Sequence, residues 1–240
     1  MSYISLKHTT PLVSVIMAVR NGERFVRQAI ESVLAQDYRP LEIILIDGQS
    51  EDRTAEIVRA YPDIHYIYQE NRGVANAYNL GVMAAQGEFV AFLSHDDLWM
   101  PNKLNLQVNY LIAHPEIEYT VVATRFFLEP GCAFPIDELR SDILEGHRVI
   151  RMMEVLLTRR NVFERVGVFD PTLSTAEDID WYARADDMGV PMGMIDQVLV
   201  QKRIHDANIS LFTAEHKQNI MRALRSSAER KRSLAQKERH

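Results

Sequence analysis

The sequence predicts an α/β fold, a mostly parallel central sheet flanked by helices, on three observations. Four apolar, β-rich segments (residues 12–18, 41–47, 64–69 and 89–94) alternate with four helical patterns (23–35, 52–60, 74–85 and 101–113). Such alternation is the signature of parallel strands joined by right-handed crossovers. The segment at 89–94 is apolar without interruption, as a strand buried on both faces should be. At 240 residues with 47% apolar side chains, the chain can bury one large core.

Taken in order, each element carries its own signal. The apolar run after Pro11 is too short to cross a bilayer and has no basic stretch before it, so neither a leader nor a membrane span is expected. Asp52 stands before the second helical stretch and Gly73 before the third, while Gly87 follows the helix ending near Gln86. Pro101 opens the fourth, as proline in a first helical turn does. Past Glu116 the regularity fades: residues 117–128 and 191–204 read as strands, and 138–165 mixes helical and extended signals. Residues 134–147, with Pro135 and Gly146, read as a surface loop or short helices. A final helix from 213 to about 235 has Ile220, Leu224 and Ala228 at helical spacing, a thin apolar stripe.

Charge is unevenly placed. Residues 213–240 carry +5 and the remaining 212 residues −11. An acidic body argues against nucleic-acid binding, which needs a basic face to replace counterions. The basic end reads as a solvated face or frayed tail, a homodimer contact, or a peripheral contact with anionic membrane at its inner face. A single cysteine, Cys132, excludes an internal disulfide and a multi-cysteine zinc site, in line with a reducing, cytoplasmic setting.

The chemistry gathers at strand ends. The fourth apolar run stops at Asp96 and Asp97, and in open parallel sheets ligands collect outside the carboxyl ends of the strands. Two adjacent carboxylates repel unless solvated or neutralised, and a divalent cation carrying phosphate oxygens is one neutraliser. Either acid serves equally as a cap for the helix near Pro101. The first strand is followed by Ala18, Val19, Arg20, Asn21 and Glu23, the second by Asp47 to Ser50, the third by Glu70 to Gly73. With Ser94 and His95, four strands deliver polar groups to one edge, which favours a polar ligand cleft over four separate turns. Neither GxGxxG nor GxxxxGK[ST] follows the first strand, so no glycine loop cradles phosphate here. Glu177, Asp178 and Asp180 are three acids within four residues, suited to a helix's first turn or to catalysis. Trp181 is sized either to stack on a sugar face or to pack in the core. Arg203 and His205 lie two apart on a strand and so share a face.

These stretches in order, VSVIMAVRNGE (13–23), ILIDGQSEDRT (44–54), NRGVANAYNLG (71–81), GEFVAFLSHDD (87–97), RRNVFERVGVFD (159–170), AEDIDWYAR (176–184) and RIH (203–205), resemble the motifs of inverting family 2 glycosyltransferases of the GT-A fold. The likeness spans about residues 11–210. It implies a catalytic domain over 1–212, with a nucleotide-binding half at about 11–115 and an acceptor half at about 116–212, followed by the basic helix or tail at 213–240. It implies that Asp47 accepts from the donor's base, that Arg72 and the Asn76 to Asn79 region line the nucleotide pocket, and that Asp96 holds Mn²⁺ or Mg²⁺ on the donor's diphosphate. Arg203 and His205 would contact the diphosphate or the metal, Asp178 would be the base, and Glu177 and Trp181 would face the acceptor. The expected partners are a nucleoside diphosphate sugar and a glycan or lipid-linked acceptor. Three departures from the family pattern involve four positions. Ser94 stands where an Asp is usual, Ala18 and Arg20 replace the usual Pro and Tyr, and Gly48 takes the place of a second Asp. The QxxRW signature of processive synthases is missing, which favours one sugar per encounter. A protein that binds nucleotide-sugars or glycans without turnover is the alternative.

Overall fold

The computed structural model describes residues 10–132, 144, 146–206, 208 and 214–237, so the loop expected at 134–147 falls mostly outside it. One eight-stranded sheet organises these residues: β1 (Val13–Val19), β2 (Leu41–Asp47), β3 (Ile64–Tyr68), β4 (Phe89–Ser94), β5 (Leu98–Trp99), β6 (Tyr119–Leu128), β7 (Leu157–Arg159) and β8 (Met192–Ile204). Their order across the sheet is β3-β2-β1-β4-β7-β6-β8-β5. The expected parallel half is β3-β2-β1-β4, while β7 runs antiparallel to both β4 and β6. β6 and β8 are parallel again, and β5 is antiparallel to β8. The sheet is therefore α/β in its first half and mixed in its second.

Helices α1 (Val26–Leu34), α2 (Thr54–Arg59), α3 (Val74–Ala84) and α4 (Lys103–Ala113) follow the first four strands, close to the expected spans. Later come α5 (Val162–Val166), α6 (Glu177–Asp187) and α7 (Ala214–Lys237), with a 3-10 turn at Met153–Val155. On α1 the buried residues Val26, Ala29, Ile30 and Val33 follow the 3.6 period and cover the sheet. β1 and β4 are buried almost throughout, which explains their unbroken apolar sequence. Close backbone approach needs glycine at Gly81, where a Cβ would lie 2.3 Å from Ile16.

The basic helix is neither frayed nor solvated all round, because α7 packs on α6. The stripe Ile220, Leu224, Ala228 is not its docking face: Leu224 is half exposed, and Ala223 and Ser227 are buried instead. Polar contacts decide this rotation. The carboxylate of Asp187, at the end of α6, accepts from Ser227 Oγ at 2.8 Å and Arg230 Nε at 2.8 Å, and lies 3.3 Å from Lys231 Nζ. Asn219 donates to Ser174 and Thr175 at the other end.

Candidate active site

Register brings the strand ends level. Val19 pairs with Asp47, Ala18 with Ser94 and Asp47 with Tyr68, so the first four strands finish on one rim. The loops there are stitched to one another. Gly22 N–H donates to Thr54 Oγ1 at 2.8 Å, Asn21 N–H to Ser50 Oγ at 2.9 Å and Glu51 N–H to Asn21 Oδ1 at 2.9 Å. Glu23 accepts from Arg53 N–H, and Asp52 from Glu23 N–H. Asn21, Gln49 and Ala176 are the non-glycine residues with positive φ among those described, and all three sit in loops that present the predicted site residues. Backbone strain of this kind persists where surrounding structure enforces it, commonly at functional sites.

The predicted nucleotide residues fall into two groups. Arg20 is exposed on this rim, and Arg72, half exposed, donates to Gln49 Oε1 at 2.7 Å. Asn76 donates to the Arg72 carbonyl at 3.0 Å. Asp47 is buried and accepts from Ser50 N–H at 2.8 Å and the Tyr66 hydroxyl at 2.6 Å. Ala18 and Val19 belong to the core of β1, so their contribution to the rim is backbone. His95 lies under Gly22, where a Cβ would come within 2.7 Å of its ring, and burial pushes its imidazole down toward the neutral form.

Three expectations are corrected. Asn79 does not face a pocket: its amide donates to the Phe169 carbonyl at 2.9 Å and accepts from Phe169 N–H at 2.9 Å, tying α3 to the loop before α6. Trp181 is fully enclosed, with Tyr119, Phe163, Phe169 and Tyr182 around it and Nε1 donating to the Gly167 carbonyl, so it packs and cannot stack on a sugar. Arg203 is buried between the Phe25 and Phe127 rings, at 4.5 and 4.8 Å, and its guanidinium donates to the Asp96 carbonyl, Glu129 and Gln28. It fixes the Asp96 backbone and does not open toward a diphosphate.

An acidic cluster forms where β4 ends, because β5 pairs with β8 and folds the Asp96–Asp97 turn against it. Asp96 Oδ2 lies 3.0 Å from His205 Nε2 and accepts from Asn208 at 3.3 Å. Burial would raise the Asp96 carboxyl, but the His205 hydrogen bond and the Lys202 charge hold it below the usual range. Asp97 is wholly buried and accepts from Lys202 Nζ at 2.7 Å and Arg203 N–H at 2.9 Å. Glu154, from the 3-10 turn, accepts from Ser94 Oγ and lies 3.4 Å from Lys202 Nζ. Burial acts to raise Glu154, and Lys202 and Ser94 outweigh it and keep it ionised. Glu177 and Asp178 begin α6. Burial and the Asp178 charge push Glu177 up to about 8. Burial raises Asp178 to about 6, against a 2.7 Å bond from Ile179 N–H and the charge of Lys202. Glu154 also acts on Asp178, and Asp96 acts on Glu154, so the strand end and the helix start share one electrostatic neighbourhood.

Sequence reading missed Glu154 and Lys202. Glu154 lies in an irregular stretch with no motif around it, and Lys202 takes the strand face opposite Arg203 and His205, where no motif marks it. The open place opposite an unusual Ser94 was the available signal.

No three His, Cys, Asp or Glu side chains form a metal cage among the described residues. Asp96 Oδ2 and His205 Nε2, 3.0 Å apart, are nevertheless spaced as two ligands of one divalent ion would be.

The geometry is a level rim of polar loops beside a buried acidic cluster at the end of β4. Residues 14–167 match the family model described as glycosyl transferase family 2, and the chain belongs to that family. An uncharacterized glycosyltransferase of Rickettsia typhi is 33% identical over 210 residues, covering 82% of this chain and 65% of its own length. A putative teichuronic acid biosynthesis glycosyltransferase, TuaG of Bacillus subtilis, is 29% identical and is covered to 82%. The chain spans 36% and 37% of two further Rickettsia relatives, from R. felis and R. conorii. In fold it matches Staphylococcus aureus TarS 1–349 solved in complex with UDP (TM-score 0.69, 20% identity, 90% of this chain and 64% of that one). It likewise matches the mannosyltransferase PcManGT of Pyrobaculum calidifontis in complex with GDP-Man and Mn²⁺ (TM-score 0.70, 23% identity, 92% and 65%). The GT-A fold expected from sequence is thus the fold observed. Among the described residues no helix is long and apolar enough to cross a membrane.

Proposed function

We propose that the protein transfers one sugar per encounter from a nucleoside diphosphate sugar, a UDP-sugar before others, to a hydroxyl of a glycan or lipid-linked acceptor, with inversion at the anomeric carbon. The observation that carries this reading is Asp178, a partly buried carboxyl raised to about 6 at the start of α6 and electrostatically joined to the Asp96 turn through Glu154 and Lys202. A base with that affinity is ionised at neutral pH yet strong enough to take a proton. Asp178 removes the acceptor's proton as its oxygen attacks. Glu177, neutral at pH 7, can donate a hydrogen bond to the acceptor beside it.

Asp96 and His205 would hold Mn²⁺ or Mg²⁺, which when bound supplies positive charge for the departing nucleotide diphosphate. Arg20, Arg72 and Asn76 meet the nucleotide along the rim, with Glu23, Asp47, Ser94 and His95 shaping the loops beneath it. The setting that fits is surface polysaccharide or glycoconjugate synthesis at the inner face of the membrane. Incubation with a panel of nucleotide sugars and acceptors, with and without Mn²⁺, followed by NMR of the product anomer, tests the reading. Inverted product supports it, and retained configuration refutes the single displacement. A second reading, binding without turnover, draws on Ser94, whose hydroxyl is committed to Glu154. Nucleotide binding with no transfer across the panel would select it.

A further inference from the structure

Five acids, Asp96, Asp97, Glu154, Glu177 and Asp178, share one electrostatic neighbourhood, and those of them that are ionised stand where the donor's diphosphate would add two more negative charges. Like charges at such range exclude one another unless a cation stands among them. Lys202 stands there. Its Nζ is 2.7 Å from Asp97 Oδ2 and 3.4 Å from Glu154 Oε1, and its charge acts on all five acids. An ammonium has three protons, and these two contacts use two of them. The Lys202 side chain keeps 16% of its surface exposed, whereas Asp97 keeps none and Glu154 7%. The lysine is thus the member of the trio most open to an anion arriving at the neighbouring Asp96. Lys103 cannot serve in its place, because it lies on the Trp99 ring at 4.0 Å and its Nζ has no hydrogen-bond partner among the described residues.

The holders of Lys202 are themselves held. Trp99 Nε1 donates to the Glu154 carbonyl at 3.1 Å, and Ser94 Oγ donates to the Glu154 carboxylate. A neutral Ser at the end of β4 makes room for a carboxylate from the 3-10 turn, and that carboxylate faces a lysine.

Resting on the reading of the site as a donor nucleotide site, we infer that Lys202 is a resident counter-cation for the donor: its ammonium, steadied by Asp97 and Glu154, contacts the diphosphate of the nucleotide and lets it bind without a divalent ion. Calorimetric titration of UDP into the full chain, in chelator and in Mn²⁺, tests this. The wild type binds UDP in chelator. Lys202→Met weakens that binding by about ten- to hundredfold, the worth of a hydrogen bond to a charged group, and Lys202→Arg retains most of it. Glu154→Gln, which keeps an acceptor oxygen to steady the ammonium but removes a negative charge that competes with the diphosphate, strengthens it severalfold. A purely internal role for the lysine would give the opposite sign. Folded Lys202→Met with unchanged affinity in chelator, or weaker binding by Glu154→Gln, overturns the inference, and the latter decides it even if the Met variant does not fold. Wild-type binding only with Mn²⁺ refutes this inference alone. No UDP binding in either buffer removes the donor-site reading as well.

Discussion

The two halves of the rim hold their polar groups by different means. Around β1, β2 and β3, short loops exchange neutral or backbone hydrogen bonds within about 30 residues of sequence, as in Gly22 with Thr54 and Glu51 with Asn21, and their cations point outward. Around β4, β8 and α6, charges are buried against one another by segments as far apart as Asp97 and Lys202. Local stitching gives a rigid but individually weak frame, since a neutral hydrogen bond contributes about 1 kcal/mol. The buried cluster is the reverse, because its members depend on each other in a low-dielectric setting where one unmatched charge is costly.

Breaking the charged half should therefore have the largest effects. Asp178→Asn is expected to lower transfer by about 10²–10⁴-fold while UDP affinity, by calorimetry, stays near wild type. Transfer at a comparable rate would assign the base elsewhere. The same carboxyl is expected to set the pH profile. Only its ionised form accepts a proton, so kcat/KM should rise with pH through about 6 and level off above, and the asparagine variant should lose that limb. Asp97→Ala leaves Lys202 short of its nearest partner and should cost about 3–5 kcal/mol in chemical denaturation. A loss under 1 kcal/mol, on the order of a surface pair, would mean the cluster is solvated.

The stitched half should respond more mildly. Gly22→Ala places a methyl 2.5 Å from Val19 Cγ2 and 2.7 Å from the His95 ring, with an expected cost of about 1–3 kcal/mol. The smallest effect is expected on the outer face of α7, where Leu224→Ser should stay within about 0.5 kcal/mol. A larger loss there would show that the apolar stripe read from sequence matters after all.

The stitched half was also the legible one. Its strands and helices each carry a local signal, so β2 coincides with its predicted span. The second half resisted because β7 is three residues long and inserts antiparallel between β4 and β6, a pairing no local pattern announces. Arg203, Asn79 and Trp181 were misread for a common reason. Residue type and spacing report which face of an element a side chain takes, but not whether a distant segment already occupies that face. For α7, the acids of α6 chose the docking side, and hydrophobic spacing carried no information about them.

Ala176 gives the arrangement a final consequence. It turns at φ 65° and is buried immediately before Glu177 and Asp178, a conformation an alanine holds at a cost of about 1–3 kcal/mol. The helix beginning there is anchored at its far end through Asp187 to Arg230 and Lys231. A segment pinned at its tail and held in a left-handed turn at its head has little freedom to pivot, so the direction in which Asp178 faces is fixed by the fold itself.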